Sequence, residues 1–281
     1  ALKIPGIHFI AEPHRFYLRN KLAGQVIGFV NIDGEGLGGL EYQFNDELKG
    51  EPGLMIIERD PSGKEIFSGN RSQKQPQHGL SLKLTLDETL QYFAEKELAY
   101  NIEQSKASWG CVLISDVTTG EILAMANYPF FYPNQFSKQS QLQKNRSLQD
   151  VYEPGSTLKL ATVAAVLEEG LAQAQSIYSN PYSIQVAGKE IRETQRDEVH
   201  VGEKTIADII VHSLNVGASK MAQLLKAQRF HSYLKKFKFG QKTGIALPED
   251  TAGILHPADQ WTEVDLATIP FGQGIAVSPL Q

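Results

Sequence analysis

Ser156 and Lys159 stand three residues apart, just after a Pro154-Gly155 turn, and open an apolar, alanine-rich run over 158–167 that Gly170 can stop. That run predicts a buried helix whose first turn carries both residues. Positions i and i+3 share a helix face, so the hydroxyl and the amine can meet. A serine hydroxyl is a weak nucleophile until a base takes its proton. A lysine can be that base if burial or nearby positive potential keeps it neutral. At the N-terminus of the helix, free N–H groups and the dipole favour a developing oxyanion. The commoner meaning of S-x-x-K is an N-cap serine beside a solvated lysine. Against that, a lysine is electrostatically disfavoured at a helix N-terminus, and this one opens an otherwise apolar helix.

A second constellation is His212-Ser213-Leu214-Asn215, placed between predicted helices at 206–211 and 216–225. A hydroxyl and an amide two residues apart in an interhelical turn can both point into one cleft. Both residue types are also preferred helix caps, and taken alone capping is the favoured reading.

Composition narrows the function classes. Of 281 residues, 41% are hydrophobic and 21% charged, as in an ordinary globular chain, and the formal net charge is −5. With no long run of one sign, this argues against nucleic acid and against a polybasic membrane surface. The single cysteine, Cys111, lies in the apolar run 109–117 and reads as a buried structural thiol, and one cysteine makes no intrachain disulfide. The seven histidines show neither H-E-x-x-H nor Cys/His spacing, so no metal and no cofactor are expected. No stretch approaches the roughly 18 apolar residues of a membrane span and no signal peptide opens the chain. It begins as if in mid-domain (Ala1-Leu2-Lys3-Ile4-Pro5-Gly6), which fits a preceding segment outside it.

The elements that must position the chemistry follow from periodicity. Residues 1–70 read as short strands and turns, with strands at 7–10, 25–32 and 53–59 and a turn at Asp60-Pro61-Ser62-Gly63. Gly34-Glu35-Gly36-Leu37-Gly38-Gly39 formally matches G-x-G-x-x-G. No βαβ pattern follows, so a dinucleotide site is not expected. The polar, unpatterned 70–79 reads as a linker and sets the domain boundary, with domains at 1–72 and 73–281. Residues 80–85 alternate like a half-buried strand. Asp87 or Thr85 can cap a helix to about Glu103, with Leu90, Phe93, Ala94, Glu97 and Leu98 near one face. Residues 109–116 and 121–126 around Thr118-Thr119-Gly120 predict a hairpin whose first strand is doubly covered. Residues 130–148 read as a loop over a site entrance, outside the core.

Asn145-Arg146-Ser147 and Asp150-Val151-Tyr152-Glu153-Pro154-Gly155-Ser156-Thr157-Leu158-Lys159 resemble the active-site block of penicillin-binding proteins, whose motifs are S-x-x-K, a second serine motif and K-T-G. Asn215-Val216-Gly217 completes an S-x-N-V-G pattern, and Gly120-Glu121-Ile122-Leu123-Ala124-Met125-Ala126-Asn127-Tyr128-Pro129 is similar to the family's text. Residues 36–50 resemble the pedestal signature of class B members, where the role is structural. Lys242-Thr243-Gly244 runs into the turn-rich Ile245-Ala246-Leu247-Pro248-Glu249, with no room for a strand edging a cleft. It resembles the family's T-G-I-x-L-P-x-E segment instead, and the genuine K-T-G strand is expected outside this chain. Trp261, the Phe271-Gly272-Gln273-Gly274 block and Ser278-Pro279-Leu280-Gln281 follow the family order, and the Phe-Gly-Gln-Gly block with Trp261 upstream leans to the cell-division type.

The resemblance implies an α+β fold: a serine β-lactamase-like transpeptidase domain with a five-stranded antiparallel sheet between helical layers, preceded by part of a β-rich pedestal domain. It implies a peptidoglycan D,D-transpeptidase of septal wall synthesis that is inhibited by β-lactams. Ser156 would be the nucleophile and Lys159 its base. Ser213 would relay a proton, and Asn215 would hold the substrate amide and position Lys159. Stem peptides, β-lactams, a glycosyltransferase and other cell-division proteins are the implied partners. The catalytic domain would lie outside the cytoplasm, on a membrane anchor outside this chain. A β-lactamase or β-lactam sensor, and a non-catalytic scaffold of the wall-synthesis complex, are the alternatives. Without its K-T-G strand the chain is expected to be catalytically weak or dead.

Overall fold

The computed structural model describes residues 14–58, 61, 66 and 71–281. It divides into two compact units, residues 1–146 with 246–248 and residues 147–245 with 249–281. No helix among the described residues is long and apolar enough to cross a membrane.

In the first unit the strand expected at 25–32 is broken. Gly24–Ile27 forms a helical turn (α1), and only Phe29–Val30 (β1) is extended, pairing antiparallel with Gly36–Gly38 (β2). The break is set by Gly28, which has φ 80°. A Cβ there would lie 1.7 Å from the Gly38 carbonyl oxygen, so only glycine permits the approach. After β2 come two five-residue helices, Gly39–Gln43 (α2) and Asn45–Lys49 (α3). Gly36 and Gly38 therefore serve an antiparallel ribbon, and Gly39 opens α2.

Leu54–Ile57 (β3) falls where a strand was expected, and it pairs over four residues with Arg71–Lys74 (β4). The linker reading is corrected here. Arg-Ser-Gln-Lys has no apolar alternation, and its ladder is extended by a bridge between Glu51 and Gln77, with Lys74 Nζ donating to Glu51 Oε2 at 2.8 Å. Residues 80–85 are corrected the other way, for they form no strand. Thr85 Oγ1 donates to the Ile122 carbonyl at 2.6 Å. The expected strand at 7–10 and most of the turn at 60–63 lie outside the described residues.

Glu88–Ser105 (α4) is capped as expected, the Asp87 carboxylate accepting from Leu90 N at 2.8 Å. Its buried face is Gln91, Ala94, Glu95, Leu98 and Ile102, while Phe93 and Glu97 are exposed. Two buried polar groups shift that face from the one the apolar residues draw: Glu95 accepts from Ala23 N at 2.7 Å, and Gln91 bonds both main-chain groups of Met125. The hairpin is Gly110–Ser115 (β5) and Ile122–Tyr128 (β6). Val112 and Ile114 face α4, so the alternation turns Cys111 and Leu113 to the other side. Cys111 is half-exposed there, which corrects the buried-thiol expectation, and β5 is less covered than β6, whose Ala124, Met125 and Ala126 are buried. Among the described residues β5 and β6 pair only with each other, so this hairpin is what they contribute of the expected five-stranded sheet. Residues 130–148, expected outside the core, are buried in part: Phe131 is buried and Phe29 packs edge-on against it and stacks on Phe136, while Asn134, Gln135, Ser137 and Lys138 are exposed. The chain then passes through Arg146–Gln149 (α5) into the second unit.

The second unit is a helical core with two short ribbons. Lys159–Glu168 (α6) packs against Asn215–Lys236 (α8), with Ile206–Val211 (α7) and Glu263–Thr268 (α9) alongside. Ile177–Asn180 (β7) pairs with Gly202–Thr205 (β10), and Ser183–Val186 (β8) with Lys189–Arg192 (β9). Val166, Ile209, Ala222, Leu225, Phe230 and Leu234 are buried in one cluster. Lys226 breaks α8 with φ 65° and ψ 161°, which is where the predicted helix ended, and the helix resumes to bury Phe230 and Leu234.

Candidate active site

The turn that carries Ser156 is built by its partners rather than by the S-x-x-K letters. Residues 155–158 form a 3₁₀ turn leading into α6, with Gly155 at φ 59°. A strap from 272 to 278 holds it from outside. Tyr152 bridges Val277, Gly155 N donates to the Gly272 carbonyl at 3.1 Å, and Gly274 N donates to Glu153 Oε1 at 2.8 Å. Ser156 is left exposed at the end of this turn, while Lys159, one turn further in, is 1% exposed.

The second constellation closes on that lysine. The α7–α8 turn holds Ser213 at φ 56°, a left-handed conformation uncommon for serine. This turns both its carbonyl and its hydroxyl towards Lys159. Lys159 Nζ lies 2.5 Å from Ser213 O, 3.0 Å from Ser213 Oγ, 2.7 Å from Asn215 Oδ1 and 3.2 Å from Ser156 Oγ. Ser213 Oγ and Ser156 Oγ are 2.8 Å apart. The four expected site residues thus share one hydrogen-bonded cluster. Burial pulls the Lys159 pKa from the ordinary 10.5 to about 8, and the charge of Glu193 opposes the shift.

Glu193 is the residue the sequence reading missed. Its side chain is buried, and it accepts from the first two backbone N–H groups of α8, Asn215 N at 2.7 Å and Val216 N at 2.8 Å. Asn180 Nδ2 donates to it at 2.9 Å. A lone glutamate after a short ribbon carries no spacing signal, because its partners lie on other elements. Gly217 also gains a reason: a Cβ there would come 2.1 Å from Tyr178 Oη.

Lys242-Thr243-Gly244 is not on a strand. Thr243 Oγ1 and Gly244 N both donate to Asp250 Oδ2 at 3.0 Å, which folds the triplet into a local turn. Among the described residues no cluster of His, Cys, Asp or Glu has the arrangement of a metal site.

Ser156 and Lys159 form an S-x-x-K pair and Ser213 and Asn215 a second serine motif beside it, which is the motif pair of the penicillin-binding proteins and serine β-lactamases. The family model for the penicillin binding protein transpeptidase domain matches residues 110–281, and that for the penicillin-binding protein dimerisation domain matches residues 1–84. The chain belongs to the class B penicillin-binding proteins. It is 35% identical over 282 residues to the peptidoglycan D,D-transpeptidase FtsI of Escherichia coli, covering 100% of this chain and 47% of that protein. It is 33% identical to penicillin-binding protein PbpB of Mycobacterium tuberculosis, over 99% of this chain and 41% of the relative. Penicillin binding protein 3 of that organism superposes with a TM-score of 0.82 at 30% identity, over 95% of this chain and 56% of that one, and has also been solved with aztreonam. The chain spans about half the length of the curated relatives it matches. With the dimerisation match at 1–84, the β-lactamase alternative is not favoured.

Proposed function

We propose that this chain carries the acylating centre of a peptidoglycan D,D-transpeptidase of septal wall synthesis, with residues 1–72 as pedestal and 73–281 as transpeptidase part, β4 straddling the division. The observation that carries the reading is Lys159 Nζ, held by Ser213 O and Asn215 Oδ1 while facing both serine hydroxyls.

In this mechanism Ser156 Oγ attacks the carbonyl of the penultimate D-Ala and Lys159 Nζ takes its proton. The tetrahedral intermediate collapses with cleavage of the C–N bond. The departing amine of the terminal D-Ala receives that proton through the Ser213 hydroxyl. An amine of a neighbouring stem peptide then attacks the acyl-enzyme, its proton passes to Lys159, and the ester C–O bond breaks as Lys159 hands that proton to the departing Ser156 Oγ. Asn215 Nδ2 donates to the Arg192 carbonyl at 3.2 Å, so its Oδ1 faces Lys159 and the amide sits at the cleft. A β-lactam enters by the same acylation and leaves slowly. The mycobacterial relative solved with aztreonam supports β-lactams as ligands of this site. A glycosyltransferase and other division proteins are the partners this reading implies, with the membrane anchor outside residues 1–281 and the site on the extracytoplasmic side.

The test is intact-protein mass after incubation with benzylpenicillin, for this chain and for Ser156→Ala. The expected result is one adduct, formed slowly because the K-T-G strand is not among these residues, that the variant lacks. An adduct persisting in Ser156→Ala overturns the nucleophile assignment. A folded wild-type chain without adduct overturns the claim that these residues suffice for acylation.

A further inference from the structure

We propose that Glu193 is the positioning residue of the acylating centre: its buried carboxylate pins the start of α8 and so holds Asn215 and the Ser213 turn on Lys159. This rests on the reading of Lys159 as the base.

A carboxylate with 1% exposure is costly to bury unless its oxygens are filled. Here Oε2 takes Asn215 N, and Oε1 takes Val216 N and Asn180 Nδ2. The bond to Asn215 N fixes the backbone of the same residue whose Oδ1 accepts from Lys159 at 2.7 Å. The residue before Glu193 holds the other end of that amide, through the Arg192 carbonyl. One short segment, 192–193, thus clamps Asn215 at main chain and side chain together. Pinning Asn215 N also fixes the C-terminal side of the turn in which Ser213 keeps its left-handed backbone.

The charge acts as well as the shape. The groups facing Glu193 are Lys159 from α6, the Tyr178 phenol and the Asn180 amide from β7, and the α8 N-terminus. Asp208 from α7 acts on the same phenol. Lys159 is the cation in this set. Glu193 favours its charged form against the desolvation that favours the neutral one, which keeps the amine able to hold the proton between the two transfers.

The experiment compares wild type, Glu193→Gln and Glu193→Asp in the full chain. One readout is the acylation rate with benzylpenicillin across pH. The other is the titration midpoint of the Lys159 side-chain NMR resonances, assigned by their loss in Lys159→Arg. Gln keeps the shape, but its NH2 faces a backbone N–H where an oxygen stood. The expected result is a folded Glu193→Gln whose rate falls on the order of 10²-fold and whose Lys159 midpoint moves to lower pH. Glu193→Asp should recover part of the rate with the wild-type midpoint. A merely structural role would lower the folded fraction and leave the midpoint in place, and that result overturns the assignment, as does an unchanged rate in folded Glu193→Gln. If Glu193→Gln does not fold, Glu193→Asp decides: a lowered rate at an unmoved midpoint supports the assignment, and a wild-type rate overturns it. If wild type itself is not acylated, the proposed function fails. The Lys159 midpoint still judges Glu193 on its own: a shift in Glu193→Gln supports the assignment and none overturns it.

Discussion

Lys159 makes a quantitative prediction because its environment sets how much of it is neutral. Its side chain is 1% exposed, and burial brings its pKa from 10.5 to about 8. At pH 7 about one amine in ten is then neutral, against about one in three thousand for an ordinary lysine, a gain of about 300-fold or roughly 3 kcal/mol. Acylation of Ser156 should therefore rise about tenfold per pH unit below 8 and level off above it. The assay is the second-order rate of adduct formation by intact mass from pH 6 to 9.5, for wild type and Lys159→Met. The variant should lose about 10²–10⁴-fold and all of the pH limb. Stability should move in the same window. Below pH 8 folded and unfolded lysine are both charged, so the folded state bears the full desolvation cost. Between about 8 and 10.5 the unfolded lysine keeps a proton that the folded one has lost, so stability rises with pH, by at most about 3 kcal/mol. Lys159→Met should remove that rise from the denaturation curves. A limb centred near 6.5, one above 10, or one that survives in Lys159→Met would refute the reasoning.

Two further substitutions separate the strap from the false third motif. At Gly272, with φ 82°, an added Cβ would lie 2.1 Å from the Gly155 carbonyl oxygen, so Gly272→Ala must displace the turn that carries Ser156. It should cost about 1–3 kcal/mol in thermal or denaturant unfolding and slow benzylpenicillin acylation beyond what the loss of folded protein explains. Lys242→Ala and Thr243→Ala should leave the acylation rate at the wild-type value, although Thr243→Ala gives up its bond to Asp250 and about 1 kcal/mol of stability. A strong rate loss in Lys242→Ala would return that triplet to the cleft.

The site was legible where one element carries its own pattern. Ser156 and Lys159 sit in one turn, and Ser213 and Asn215 in one interhelical turn, so short spacings held them. Helices with an apolar face were equally readable, and so was the hairpin around Thr118-Thr119-Gly120. What escaped depends on partners distant in sequence. Arg71–Lys74 is a strand only because β3 offers it a ladder, whereas 80–85 has the alternation of a strand and no ladder to join. Phe131 reads as a loop residue until Phe29, far upstream, meets it. Glu193 is the same case at the site itself, a residue whose meaning lies in N–H groups 22 and 23 positions away.

In the proposed mechanism the contacts of Lys159 would let one group take a proton and give it back without moving. Ser213 O and Asn215 Oδ1 are carbonyl oxygens and can only accept, and the bond from Asn215 Nδ2 to the Arg192 carbonyl orients that amide with its oxygen on Lys159. Each therefore fixes one N–H of the amine. The remaining position on nitrogen faces the two hydroxyls, Ser156 Oγ at 3.2 Å and Ser213 Oγ at 3.0 Å. In the neutral amine that position is a lone pair accepting from a hydroxyl, and in the ammonium it is an N–H donating to the same oxygens. The heavy-atom geometry suits both states, so the transfer costs little reorganisation. The 2.8 Å link between the hydroxyls lets the proton leave by Ser213 after arriving from Ser156. The left-handed Ser213 backbone serves this arrangement, since it turns the fixed acceptor and the relay hydroxyl of one residue onto one nitrogen.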